Sequence, residues 1–184
     1  MNQDALFGLL AQARKLCGHT DYVIIGSLSV LGIAEVSAIP RDMTMSIDAD
    51  CYTYADPGRV FDLKPQLGEG SDYHKEHGIY LDPISPRLPT LPSEWAGRLI
   101  RVTRGAVVAH FLEPHDAAVS KIARGEPRDV RWVVAGAKAH ILAVPTLVQR
   151  MKDTTFLDHD EQRAAFILLE AIRTRLGQEQ TNTR

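Results

Sequence analysis

The chain has 184 residues, of which 45% are hydrophobic, 24% charged and 7% aromatic, with a formal net charge of −2 at pH 7. That balance excludes collagen-like and disordered chains, and no apolar run approaches the ~20 residues needed to cross a bilayer. It also argues against a protein that coats nucleic acid through bulk charge. At this length one domain is expected, burying roughly 70% of the surface that the unfolded chain exposes. Asp4, Arg14 and Lys15 bound the short apolar stretch of MNQDALFGLLAQARKL, which is unlike a secretory signal. Cys17 and Cys51 belong to no CxxC pair, so a reducing, cytoplasmic setting without membrane contact is predicted.

From Asp4 to Leu16 the residues Leu6, Leu9, Leu10, Ala13 and Leu16 fall at helical spacing, with charges that suit the helix dipole at each end. The β-branched run Asp21–Ile25 reads as a strand ending in Gly26-Ser27, and LSVLGIAEV reads as a helix that starts directly from it. Between Met43 and Tyr52 apolar and polar residues alternate, which predicts a half-buried strand. The Gly-, Pro- and Asp-rich stretch 56–75 predicts irregular loops with a short helix around Val60–Leu63, and Gly78–Leu81 predicts another strand. Pro83, Pro86, Pro89 and Pro92 recur every third residue and mark an extended connector. Arg98–Thr103 and Val107–Leu112, joined by Arg104-Gly105-Ala106, predict a hairpin. Helices are then expected from Pro114 to Arg124, from Pro127 to about His140, from Pro145 to Lys152 and from Glu161 to Leu176. The order predicts an α+β fold: a mixed sheet flanked by helices over 1–112, a helical region over 113–178 packed on it as part of one structural domain, and a frayed tail at 179–184.

Two short motifs carry chemistry. A Gly26-Ser27 turn between strand and helix offers a hydroxyl and unpaired backbone N–H groups, which suit a phosphate. Asp48 and Asp50, at i and i+2 of a strand, lie on one face about 6–7 Å apart along the backbone. Like charges so close raise one another's pKa unless a cation sits between them, and Mg²⁺, or Mn²⁺ in its place, prefers carboxylate and substrate-phosphate oxygens. Asp82, at the end of the next strand, supplies a third carboxylate if the two strands are neighbours. A plain turn and a wet sheet face are the bland readings of the same residues. In HKEH, His74 and His77 lack zinc-ligand spacing and read as a solvated loop, and His115 beside Asp116 reads as a helix cap.

The segments IIGSLSVLG, TMSIDADCYTY, GEGSDYHKEHGIYLD, LPSEWAGRLIRV and FLEPHDAAVSKIARGEPRDVRWV resemble the nucleotidyltransferase superfamily with the polymerase-beta-like fold. More locally they resemble small bacterial nucleotidyltransferase-like proteins related to the AbiEii abortive-infection toxins. The resemblance implies that Gly26 and Ser27 hold a triphosphate, that Asp48, Asp50 and Asp82 ligate metal, that Lys121 reaches a phosphate, and that Asp129 orients Lys121 or the acceptor. Either Asp82 or Asp129 is then the third acid. It further implies NTP as substrate, transfer of NMP to a hydroxyl of RNA, tRNA included, or of a protein, and a cognate antitoxin. The departure from the pattern is a longer gap between Ser27 and Asp48. That insertion keeps open a second reading, a non-catalytic nucleotide-binding or protein-interaction module that retains the fold.

Overall fold

The computed structural model describes residues 1–34 and 38–182, the side chains of 179–182 excepted. Its helices are α1 (Gln3–Cys17), α2 (Arg41–Thr44), α3 (Lys64–Leu67), α4 (Asp72–His77), α5 (Pro114–Arg124), α6 (Pro127–Lys138), α7 (Val144–Lys152) and α8 (His159–Asn182). Its strands are β1 (Asp21–Ile24), β2 (Asp48–Thr53), β3 (Tyr80–Pro83), β4 (Ile100–Arg104) and β5 (Val107–Phe111). They form one mixed sheet in the order β3-β2-β1-β5-β4. β1 pairs antiparallel with β2 and parallel with β5, while β2 and β3 run parallel. The fold is thus α+β, with helices over the sheet and a helical C-terminal region. A single core joins Leu6 and Leu10 of α1, Val23 and Ile24 of β1, Phe111 of β5, Trp132 of α6 and Leu169 of α8. Each large side chain buried there contributes roughly 1.5–3 kcal/mol.

Local chemistry accounts for the ends of the elements. Gly125 adopts φ 70° after α5 and caps Lys121 O, and Glu113 caps the start of α5 by accepting from the N–H groups of His115 and Asp116. The proline connector is pinned to the C-terminal end of α7, where Ser93 N–H donates to Asp153 O at 2.8 Å and Pro92 bridges Thr154.

The structure corrects three expectations. The alternating run begins as α2, and only Asp48–Thr53 is a strand. Met43 is buried in the core while Met45 and Ile47 are exposed, because Pro40 starts a helical turn in which its carbonyl accepts from Met43 N–H at 2.9 Å. The helix expected from LSVLGIAEV is a 3₁₀ segment, Gly26–Gly32, wound tightly because Leu28, Val30 and Leu31 are all buried. Positions 35 and 36 of that run lie outside the described residues, as do residues 183–184 and the side chains of 179–182 in the expected frayed tail. The stretch 56–75 is also more helical than expected: a 3₁₀ segment, Pro57–Leu63, runs into α3, and α4 carries His74 and His77.

Candidate functional site

Sheet register brings the carboxylates together. β2 and β3 are aligned with Asp50 opposite Asp82, and Asp48 stands two residues back on the same face. An oxygen from each of the three lies within 4.8 Å of the others. Ser46 Oγ donates to Asp48 Oδ1 and fixes that side chain.

The end of β1 meets this cluster because Ile25 N–H donates to Asp50 O at 2.9 Å. Gly26 follows at φ 68°, and a Cβ there would stand 1.8 Å from Asp50 Oδ2. Only glycine satisfies both the backbone angle and the approach of the carboxylate. Ser27 comes next, and its Oγ accepts from Lys121 Nζ at 2.9 Å. Lys121 Nζ also donates to Asp129 Oδ1 at 3.1 Å and stands 5.0 Å from the centre of the Trp132 ring. Arg124 grips the same Asp129 through Nε at 2.6 Å and Nη2 at 2.7 Å. The Trp132 indole N–H donates to both Ser27 O and Met43 O, which ties α6 and α2 to the glycine turn. Beside this assembly a cavity of about 340 Å³ opens, with Gly26, Asp50, Lys121 and Arg124 in its lining. Its volume is at the small end of the ~300–1,000 Å³ range of ligand pockets.

A family model described as nucleotidyltransferase of unknown function (DUF6036) matches residues 4–174. The chain belongs to that family. No curated protein and no solved structure matches it.

Electrostatics shows how this nucleotidyltransferase-family site is poised. Burial, then the charges of Asp48 and Asp82, push the Asp50 carboxyl up to about 7, against the pull of Lys121 and Arg124. Asp82 is also raised, by burial and by Asp48. An all-oxygen set of three carboxylates whose mutual repulsion the nearby cations relieve only in part fits a hard divalent cation, and the triad is positioned to hold one. On the cationic side, burial lowers the Lys121 ammonium while Asp129 supports its charge. Burial works against the Asp129 carboxylate, yet hydrogen bonds from Arg124 and Lys121 hold it below the usual range.

Gly26, Ser27, Asp48, Asp50, Asp82, Lys121 and Asp129 lie together here, with Asp129 on the lysine side and Asp82 among the carboxylates. Arg124 and Trp132, which belong to neither sequence motif, complete the lysine side of the site. His74 and His77 face Tyr80 and Tyr73 as ring pairs, and the His74 ring accepts from Gly70 N–H. The cap of α5 is Glu113, with the His115 ring bridging it to Ala143 N–H. Asp116 is buried between Arg98, which grips it through two nitrogens, and Arg150 at 3.2 Å.

Proposed function

We propose that the chain transfers a nucleoside monophosphate from an NTP to a hydroxyl acceptor and releases pyrophosphate. The observation that carries this reading is the convergence of Asp48, Asp50 and Asp82 beside the Lys121–Ser27 pair. Asp48, Asp50 and Asp82 would hold Mg²⁺, or Mn²⁺, which would supply charge neutralisation for the triphosphate and the leaving pyrophosphate.

The chain's own groups do the rest. Lys121, oriented by Asp129, gives its charge to the phosphates. Gly26 leaves the backbone open to them, and Ser27 adds a hydroxyl. Arg124 neutralises Asp129 and leaves Lys121 a share of its charge for the substrate. Asp82 takes the proton of the acceptor hydroxyl as the oxygen bonds to the α-phosphorus and the bond to the β-phosphate oxygen breaks. Catalysis is then chiefly positioning and charge compensation, as in phosphoryl transfer generally. The resemblance of segments 24–133 to relatives of the AbiEii toxins supports RNA, tRNA included, as the acceptor class. It equally supports a toxin-like role under the control of a cognate antitoxin.

The test is transfer of label from each α-³²P NTP to total RNA with Mg²⁺. Labelled RNA that disappears in the Asp48→Ala and Asp50→Ala variants supports the reading. No labelled product, or equal labelling by the variants, refutes it.

A further inference from the structure

The cavity beside the carboxylates also has polar groups that phosphate chemistry does not use. From Asp50, Lys121 and Arg124 its lining extends to Thr90 of the connector and Glu161 in the first turns of α8. Ile84, Leu88 and Leu112 add apolar walls to the same cavity, surfaces suited to the faces of a flat heterocycle. One cavity thus joins the groups beside the carboxylates to the start of α8.

The Glu161 carboxylate is held from two sides. Thr90 Oγ1 donates to Oε1 at 3.0 Å, and Leu157 N–H donates to Oε2 at 2.6 Å. Among the described residues each oxygen accepts one bond, so each retains a lone pair. The start of α8 has its own cap, since Asp158 Oδ1 accepts from the N–H groups of Asp160 and Glu161.

We propose that this cavity takes the base of the nucleotide and that Glu161 selects bases bearing an exocyclic amino group over uracil. The inference rests on the nucleotidyltransferase reading of the adjoining carboxylates. A carboxylate only accepts hydrogen bonds. The amino N–H of adenine, cytosine or guanine donates to it, whereas the one imide donor of uracil, N3–H, is flanked by two carbonyl oxygens that repel the carboxylate and leave its remaining lone pairs poorly matched.

The test is calorimetric titration of ATP, CTP, GTP and UTP with Mg²⁺ into the wild type and the Glu161→Gln variant, whose amide oxygen still accepts from Leu157 N–H. The wild type should bind UTP at least roughly tenfold more weakly than the best of the other three, and the variant should shrink that gap to about threefold or less. A wild type that binds all four alike, or a gap unchanged in Glu161→Gln, overturns the inference and leaves the transferase reading standing. Failure of all four to bind the wild type overturns both.

Discussion

Replacing Asp50 by asparagine removes a charge that the metal-free fold holds at a cost. The Asp50 carboxyl sits at about 7 instead of 3.8, through burial first and then repulsion by Asp48 and Asp82. An acid whose pKa is higher folded than unfolded binds its proton more tightly in the native state. Its contribution therefore falls as pH rises from about 4 through about 7. A displacement of about three units corresponds to at most about 4 kcal/mol, and partial access of water to the group reduces this to about 2 kcal/mol. For a chain of this size that is about 4–8 °C in melting temperature. Thermal unfolding without divalent ions, at steps from pH 5 to 8, should show the wild type losing stability with rising pH. Asp50→Asn should lose less and melt higher at pH 7.5, although it transfers no label. Parallel pH profiles, or a variant that melts lower at pH 7.5, would show that the Asp50 charge does not destabilise the metal-free fold.

Gly26→Ala combines a positive φ with a Cβ driven into Asp50 Oδ2. Chemical denaturation should show a loss of at least about 2 kcal/mol, accompanied by loss of NTP binding. Asp129→Asn leaves buried Lys121 and its neighbour Arg124 with a neutral partner. It should cost about 2–3 kcal/mol in denaturant and weaken NTP binding more than Arg124→Gln does. Asp116→Ala strands Arg98 and Arg150, and should cost about 3 kcal/mol in denaturant while NTP binding to the folded protein persists.

Elements governed by local chemistry were legible in the sequence. Pro114 and Gly125 bracket α5 where the pattern put it, and Gly105, at φ 56°, turns the hairpin of β4 and β5. The Met43–Ile47 alternation misled because period-2 spacing carries no information about the turn that Pro40 initiates. The candidate site was legible as a set of residues but not as a geometry. The alignment of Asp50 with Asp82 is decided by parallel pairing of strands separated by α3 and α4, and no local signal encodes it. The same holds for Thr90 with Glu161, and for Arg98 and Arg150 converging on Asp116. Thr90 meets Glu161 because the connector folds back onto α8, and Arg150 meets Asp116 because α7 packs on α5.

Metal binding by Asp48, Asp50 and Asp82 for a nucleotide is open to electron paramagnetic resonance of free Mn²⁺, titrated into the wild type and Asp50→Asn with and without NTP. The wild type should remove Mn²⁺ from solution, more tightly when NTP is present, and the folded variant should leave the free-ion signal nearly undiminished. Equal uptake of Mn²⁺ by both proteins, or none by the wild type with NTP, would show that the three carboxylates do not hold the ion.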